Sequence, residues 1–193
     1  MSLTLGLCFM VAAYFVFIGI IPLLFMEVLK VEMKSYALYQ GSVVGLFAVL
    51  SLMIPTIIDR FNVNVLMRAS LFISLGAGVG LFTLGLLAPD HPLPITLLMC
   101  GYIAGMVLPC CVLFSQAMDM FPLLRASASS LIQSLRMLTM SLATYLAGAF
   151  YDGTFLPIGF VIMFLIIIAF PLAMSAIRQR DHMGVVPMSG SFH

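Results

Sequence analysis

The stretch SASSLIQSLRMLT, residues 127–139, places Arg136 deep in an apolar segment whose nearest acids along the chain are Asp119 and Asp152. A cation in such a setting needs an anion, a set of buried acceptors or water beside it. Ser129, Gln133, Arg136, Met140 and Ala143 follow at helical steps of three and four, and Leu131, Leu135, Leu138, Leu142 and Leu146 do so on another side. The spacing predicts a helix with a leucine ridge toward lipid or packing and a second face toward something polar. The other reactive side chains form no catalytic constellation. Cys8, Cys100, Cys110 and Cys111 lie in apolar segments without a CxxC pair or a histidine at ligand spacing, which reads as free thiols acting as small hydrophobes. His91, His182 and His193 fall in a turn and at the C-terminal end. No metal site and no cofactor are expected.

These residues must be carried by a membrane protein. Hydrophobic residues make up 63% of the 193 and charged ones only 8%, too few charges to cover a soluble domain of this length. A bilayer core about 30 Å thick needs roughly 20 apolar residues per helix. Six segments meet that length, at about 4–26, 37–57, 65–88, 94–116, 124–150 and 155–177. The expected fold is therefore all-α, a six-helix transmembrane bundle over 1–178, with 179–193 a disordered cytosolic tail. No run alternates in polarity as a β-barrel strand does. The first segment lacks a basic n-region and is long for a secretory signal, so it reads as a span.

Charge placement gives the orientation. Arg60, Arg68, Arg125, Arg178 and Arg180 fall on one side of the predicted spans, and Lys30 and Lys34 on the other. By the positive-inside rule both termini face the cytosol. The net charge of +1 and the lack of a basic stripe interleaved with aromatics point away from nucleic acid. All seven acids, Glu27, Glu32, Asp59, Asp90, Asp119, Asp152 and Asp181, lie at span ends or in connections. Arg136 instead lies about 18 Å along its helix, near the bilayer midplane, where a charge costs about 2.5–3.5 kcal/mol on insertion scales. It should face a protein interior or a wet cavity. Rows of small residues at Gly101 and Gly105, at Ser70, Ser74 and Gly78, and at Ala126, Ser130 and Ser134 predict close helix packing. Pro109 predicts a kink in the fourth span.

Two segments carry a resemblance. The segment PTIIDRFNVNVLMR (55–68) and the segment SQAMDMFPLLRASASSL (115–131), set between six spans with cytosolic ends, resemble the C-terminal half of a major facilitator superfamily transporter, nearest the Bcr/CflA-type drug:proton antiporters. Asp59 and Arg60 match the Asp-Arg of that family's 2–3 loop pattern, Gly-x-x-x-Asp-Arg-x-Gly followed by two basic residues. Pro55 stands for its first Gly, Asn62 for its second, and Val63 and Asn64 for the basic pair; Asn62 tolerates a left-handed turn. Phe121, Pro122, Ala126, Ala128, Ser129 and Ser130 fit the family's Phe-Pro and Gly-x-Ala-Ser-Ala run, with Ala126 for its Gly and Arg136 where Gln is more common.

The resemblance implies proton-coupled efflux of small, amphipathic, drug-like molecules from a bacterial inner membrane, with Arg136, Gln133, Ser129 and Met140 on the central cavity. Its partners are then the lipid bilayer, the small-molecule substrate and protons. The superfamily has twelve helices in two halves with substrate bound between them, so the implied further partner is a missing N-terminal six-helix half or a second copy. A start of the first span almost at Met1 favours the missing half. A non-transporting scaffold or assembly subunit would use the small-residue rows equally well. A six-helix membrane enzyme would need clustered carboxylates or a membrane-depth base, which this sequence lacks, so the chain reads as no enzyme.

Overall fold

The structure, a computed structural model, describes residues 2–28, 30, 32–60, 62–87, 92–119, 125–151, 153 and 155–183. Among them are six α-helices and no strand: α1 (Ser2–Leu23), α2 (Met33–Arg60), α3 (Val63–Leu87), α4 (Pro92–Asp119), α5 (Arg125–Ala149) and α6 (Leu156–Met183). No expected span reaches more than one residue beyond its helix, allowing for a short π-helical extension of α1 at Leu24–Val28. That wide turn follows Pro22, which lacks the N–H that would bond the Ile18 carbonyl.

Three boundaries differ from expectation. Five of the six helices are long and apolar enough to cross a membrane; α5 is long enough but falls short in apolarity, because Arg136, Gln133 and its serines dilute the leucines. Among the described residues the fold is thus all-helical with five such spans, not six. Asp59 and Arg60, expected in a loop, form the last turn of α2. The sixth helix runs five residues past the expected start of the tail, through polar residues that are mostly good helix formers. Residues 184–193, the rest of that tail, lie outside the described residues.

Asn62 does not adopt the left-handed conformation that replacing a glycine suggested. Among the described residues only Lys30 and Gly153 have positive φ. Asn62 instead caps α3: its Oδ1 accepts from the Asn64 N–H at 3.1 Å and its carbonyl from the Leu66 N–H at 3.0 Å. An Asn side chain at an N-cap satisfies a donor that the first helical turn leaves orphaned.

Packing is organised in two triplets. In the core, α1 lies against α6 and α5, α4 against α3 and α2, α3 against α6, and α1 against α4. Exchanging α1, α2, α3 for α4, α5, α6 maps the α1–α6 and α1–α5 contacts onto α4–α3 and α4–α2, and the α3–α6 and α1–α4 contacts onto themselves. The two triplets, α1–α3 and α4–α6, are thus matched in their helix pairing. Two glycine seams allow the closest approaches. A Cβ on Gly105 of α4 would come within 2.5 Å of the Ser70 carbonyl oxygen and of the Ser74 backbone nitrogen on α3, and one on Gly6 of α1 within 3.1 Å of the Ala173 nitrogen on α6. The small-residue rows of α3 and α4 therefore meet each other.

The centre is closed. Tyr102, fully buried on α4, donates its hydroxyl hydrogen to the Met10 carbonyl of α1 at 2.8 Å. Beside it a void of about 10 Å³, lined by Met10, Ser74, Tyr102, Ile166 and Phe170 among others, has room for about one water. The helices α2 and α5 flank the core of α1, α3, α4 and α6, and α2 is the least enclosed, with 11% of its most apolar window buried against 67% for α1.

Candidate functional site

The orientation of α5 decides what Arg136 meets. Ile132, Met140, Ala143 and Ala147 are buried. With Arg136 they follow at steps of four and three, so the cation stands in the middle of the arc that faces the bundle. Leu131, Leu138 and Leu142 are 72%, 68% and 61% exposed on the opposite side. The leucine ridge therefore faces outward. A charged residue has taken a core position on the least apolar helix.

Three helices converge on the guanidinium. It lies within electrostatic range of the Cys8 thiol of α1 and the Cys110 thiol of α4. Depth explains the meeting. Cys8 lies six residues, about 9 Å, from the start of α1; Cys110 lies nine, about 13 Å, from the end of α4; Arg136 lies eleven, about 16 Å, from the start of α5. Alternating helices put those three ends on one side of the bundle. Side chains on a helix lean toward its N-terminus, which lowers the Arg136 head group toward the level of the two thiols.

What surrounds the cation leaves it unsatisfied. Its Nε is fully enclosed and has no hydrogen-bond partner, although the residue as a whole keeps some exposure. Among the described residues no carboxylate pairs with it and no carbonyl or hydroxyl accepts from it. Thiols are weak hydrogen-bond groups and cannot stand in for an anion. The arrangement is a partly exposed cation where α1, α4 and α5 approach one another, with one nitrogen short of an acceptor.

The other expected site residues separate into two groups. Met140 is buried beside Arg136 on the inner arc. Gln133 and Ser129 are half-buried at the arc's edge. Gln133 borders a shallow outer groove with Ser130, Ser134, Met137, Leu138 and Ser141, and the Ser129 hydroxyl donates to the Ala126 carbonyl of its own helix at 2.9 Å. The predicted polar face is therefore an inner cation with a hydroxyl and an amide on its flank. Pro109 is buried within a continuous α4, next to Cys110, where it leaves the Gly105 carbonyl without its helical donor. The side chain of Asp59 lies outside what is described, as do Phe121 and Pro122; Arg60 is exposed. Among the described residues no group of three or more His, Cys, Asp or Glu could hold a metal ion.

Sequence reasoning treated Cys8 and Cys110 as inert packing. The signal that could have placed them beside Arg136 was their matching height above one face of the bundle, which the helix boundaries supply. In comparison with known proteins, no family model, no curated sequence and no solved structure matches the chain.

Proposed function

We propose that the chain is one six-helix body of a two-body membrane carrier, the C-terminal half of a major facilitator type, which moves small amphipathic molecules by proton-coupled efflux. The observation that carries the reading is the matched pairing of two three-helix triplets: the extensive contacts of α1, α2 and α3 are matched by those of α4, α5 and α6. Internal repeats are a recurrent construction of secondary carriers, in which substrate sits at an interface near the midplane and alternating access is rocking of one body against another. Arg136 fits that scheme, because a midplane cation between helices is what a pathway needs and what a purely structural helix avoids.

The second body is the missing N-terminal six helices or a second copy of this chain. Both flanking helices present small residues outward, where it would dock. Gly41 and Gly45 on α2 have nothing within 4 Å of a built Cβ, and Ala126, Ser130 and Ser134 on α5 are exposed. These rows also favour a second reading, an assembly subunit that transports nothing. In the carrier reading the membrane is the bacterial inner membrane, with both termini in the cytosol.

Flux is the test. In vesicles with an imposed proton gradient, a single isolated six-helix body should move no amphipathic dye. Flux should appear when two bodies are paired, and Arg136→Ala should abolish it. Robust transport by the isolated body contradicts the two-body reading. An Arg136→Ala pair that transports as well as wild type favours the assembly reading.

A further inference from the structure

Among the described residues Arg136 has no carboxylate to balance its charge. It stands at the eleventh step of a 25-residue helix, and the nearest acids along the sequence are Asp119 and Asp152. The nearest acid on a packed neighbour, Asp119 of α4, is nine residues beyond Cys110, about 13 Å farther along that helix. A buried Lys or His can lose its proton and become neutral; an arginine in a protein cannot. A buried polar group without a partner in a native fold calls for an absent water, ion or ligand. For a permanent cation in low dielectric, an anion offsets burial far better than a neutral dipole.

The shape of the site narrows the ligand. The side chain keeps some exposure while its Nε is enclosed, so an incoming carboxylate or phosphate would meet the terminal guanidinium nitrogens, the paired donors of planar two-point recognition. Ile132 and Met140 stand one turn away on the same arc and the Cys8 and Cys110 thiols lie within electrostatic range, and none of them offers an anion further charge. The half-buried Ser129 and Gln133 mark a more polar approach from the Arg125 end of α5. A small hydrated anion would lose its water in such a place for one cation. An anion carrying an apolar body loses less, because that body leaves water anyway.

We propose that Arg136 anchors the anionic head group of an amphipathic ligand, a carboxylate or phosphate on an apolar chain, where α1, α4 and α5 meet. This specifies the substrate class of the carrier reading and rests on it for the ligand's route, while the binding step can be measured without flux. The full chain in a nonionic detergent is titrated with fluorophore-tagged dodecanoate, with its methyl ester, and with a tagged dodecyl trimethylammonium. Dodecanoate should bind saturably and at least roughly tenfold more tightly than either of the others, as expected for charge-assisted hydrogen bonds. Arg136→Gln should erase that preference. Arg136→Lys, which keeps the charge but loses the planar fork, should retain part of it.

Displacement of dodecanoate by phosphatidylglycerol but not by phosphatidylcholine assigns the anion to a membrane lipid. Retention against both assigns it to a diffusible amphiphile. Either pattern upholds the site. Equal binding of ester or ammonium to the wild-type chain overturns it, as does an undiminished carboxylate preference in Arg136→Gln. If the Gln variant does not fold, the wild-type comparison of the three probes and the Lys variant still decide. Carboxylate binding without flux leaves this inference standing and removes the carrier reading. Flux of neutral or cationic dyes with no carboxylate preference does the reverse.

Discussion

The small-residue row of α4 and that of α5 look alike in sequence and meet different fates. Gly101 and Gly105 close onto α3, the first with the Ala77 Cβ at 3.7 Å from a built Cβ and the second against the backbone of Ser70 and Ser74. Ala126, Ser130 and Ser134 face outward from α5, and the groove beyond them is lined by Gln133, Met137 and Ser141. One row is spent inside the bundle and the other is left for something outside it. The difference teaches that a small-xxx-small step marks where a backbone can be approached, and that topology decides whether this chain or another approaches it.

The largest effect that would break this contrast is at the closed seam. Gly105→Leu puts a side chain where two backbone atoms of α3 already stand, and neither can move without displacing the helix. The cost should reach about 3 kcal/mol, the upper end for overpacking. Loss of the monodisperse species on size exclusion and a lowered unfolding midpoint check it. A change of similar size and opposite sign is expected at the cation. Arg136→Leu replaces an unbalanced cation with a core hydrophobe, and the bundle should gain about 2 kcal/mol in unfolding measurements, within the range for replacing buried charge by well-packed apolar residues.

Tyr102→Phe removes the bond to the Met10 carbonyl that ties α1 to α4, and should cost about 1 kcal/mol with the fold kept. The smallest effect is on the open row. Ser134→Leu, and likewise Gly45→Leu on α2, should leave the unfolding midpoint within about 0.5 kcal/mol of wild type. They should instead weaken association with a second body, read by crosslinking yield in the membrane. A large loss of stability from either would mean that the outward rows are packed after all.

Local pattern carried much of this fold. The apolar segments located all six helices, and the leucines of α5 announced their outward face through spacing alone. Helix ends were less legible, because Asp59 and Arg60 continue α2 into the polar zone where apolarity stops but helical hydrogen bonding does not. Asn62 was readable as a turn residue yet serves as a cap, a choice between two uses of the same short polar side chain. Pairing between distant helices was not legible. Cys8 and Arg136 are joined by α1 packing on α5, and no periodicity within either helix encodes that neighbour. Nor did composition reveal that α2 would be nearly bare while α1, the more apolar of the two, would be the most enclosed of the five spans.

The central claim is that Arg136 is reached by water within protein while its neighbour Leu138 faces lipid. In a chain whose four native cysteines are replaced, single cysteines at 136 and 138 are exposed in intact vesicles to a charged, membrane-impermeant thiol reagent. Position 136 should react from one side of the membrane, and position 138 should stay unmodified. Protection at 136 with modification at 138 would contradict the account.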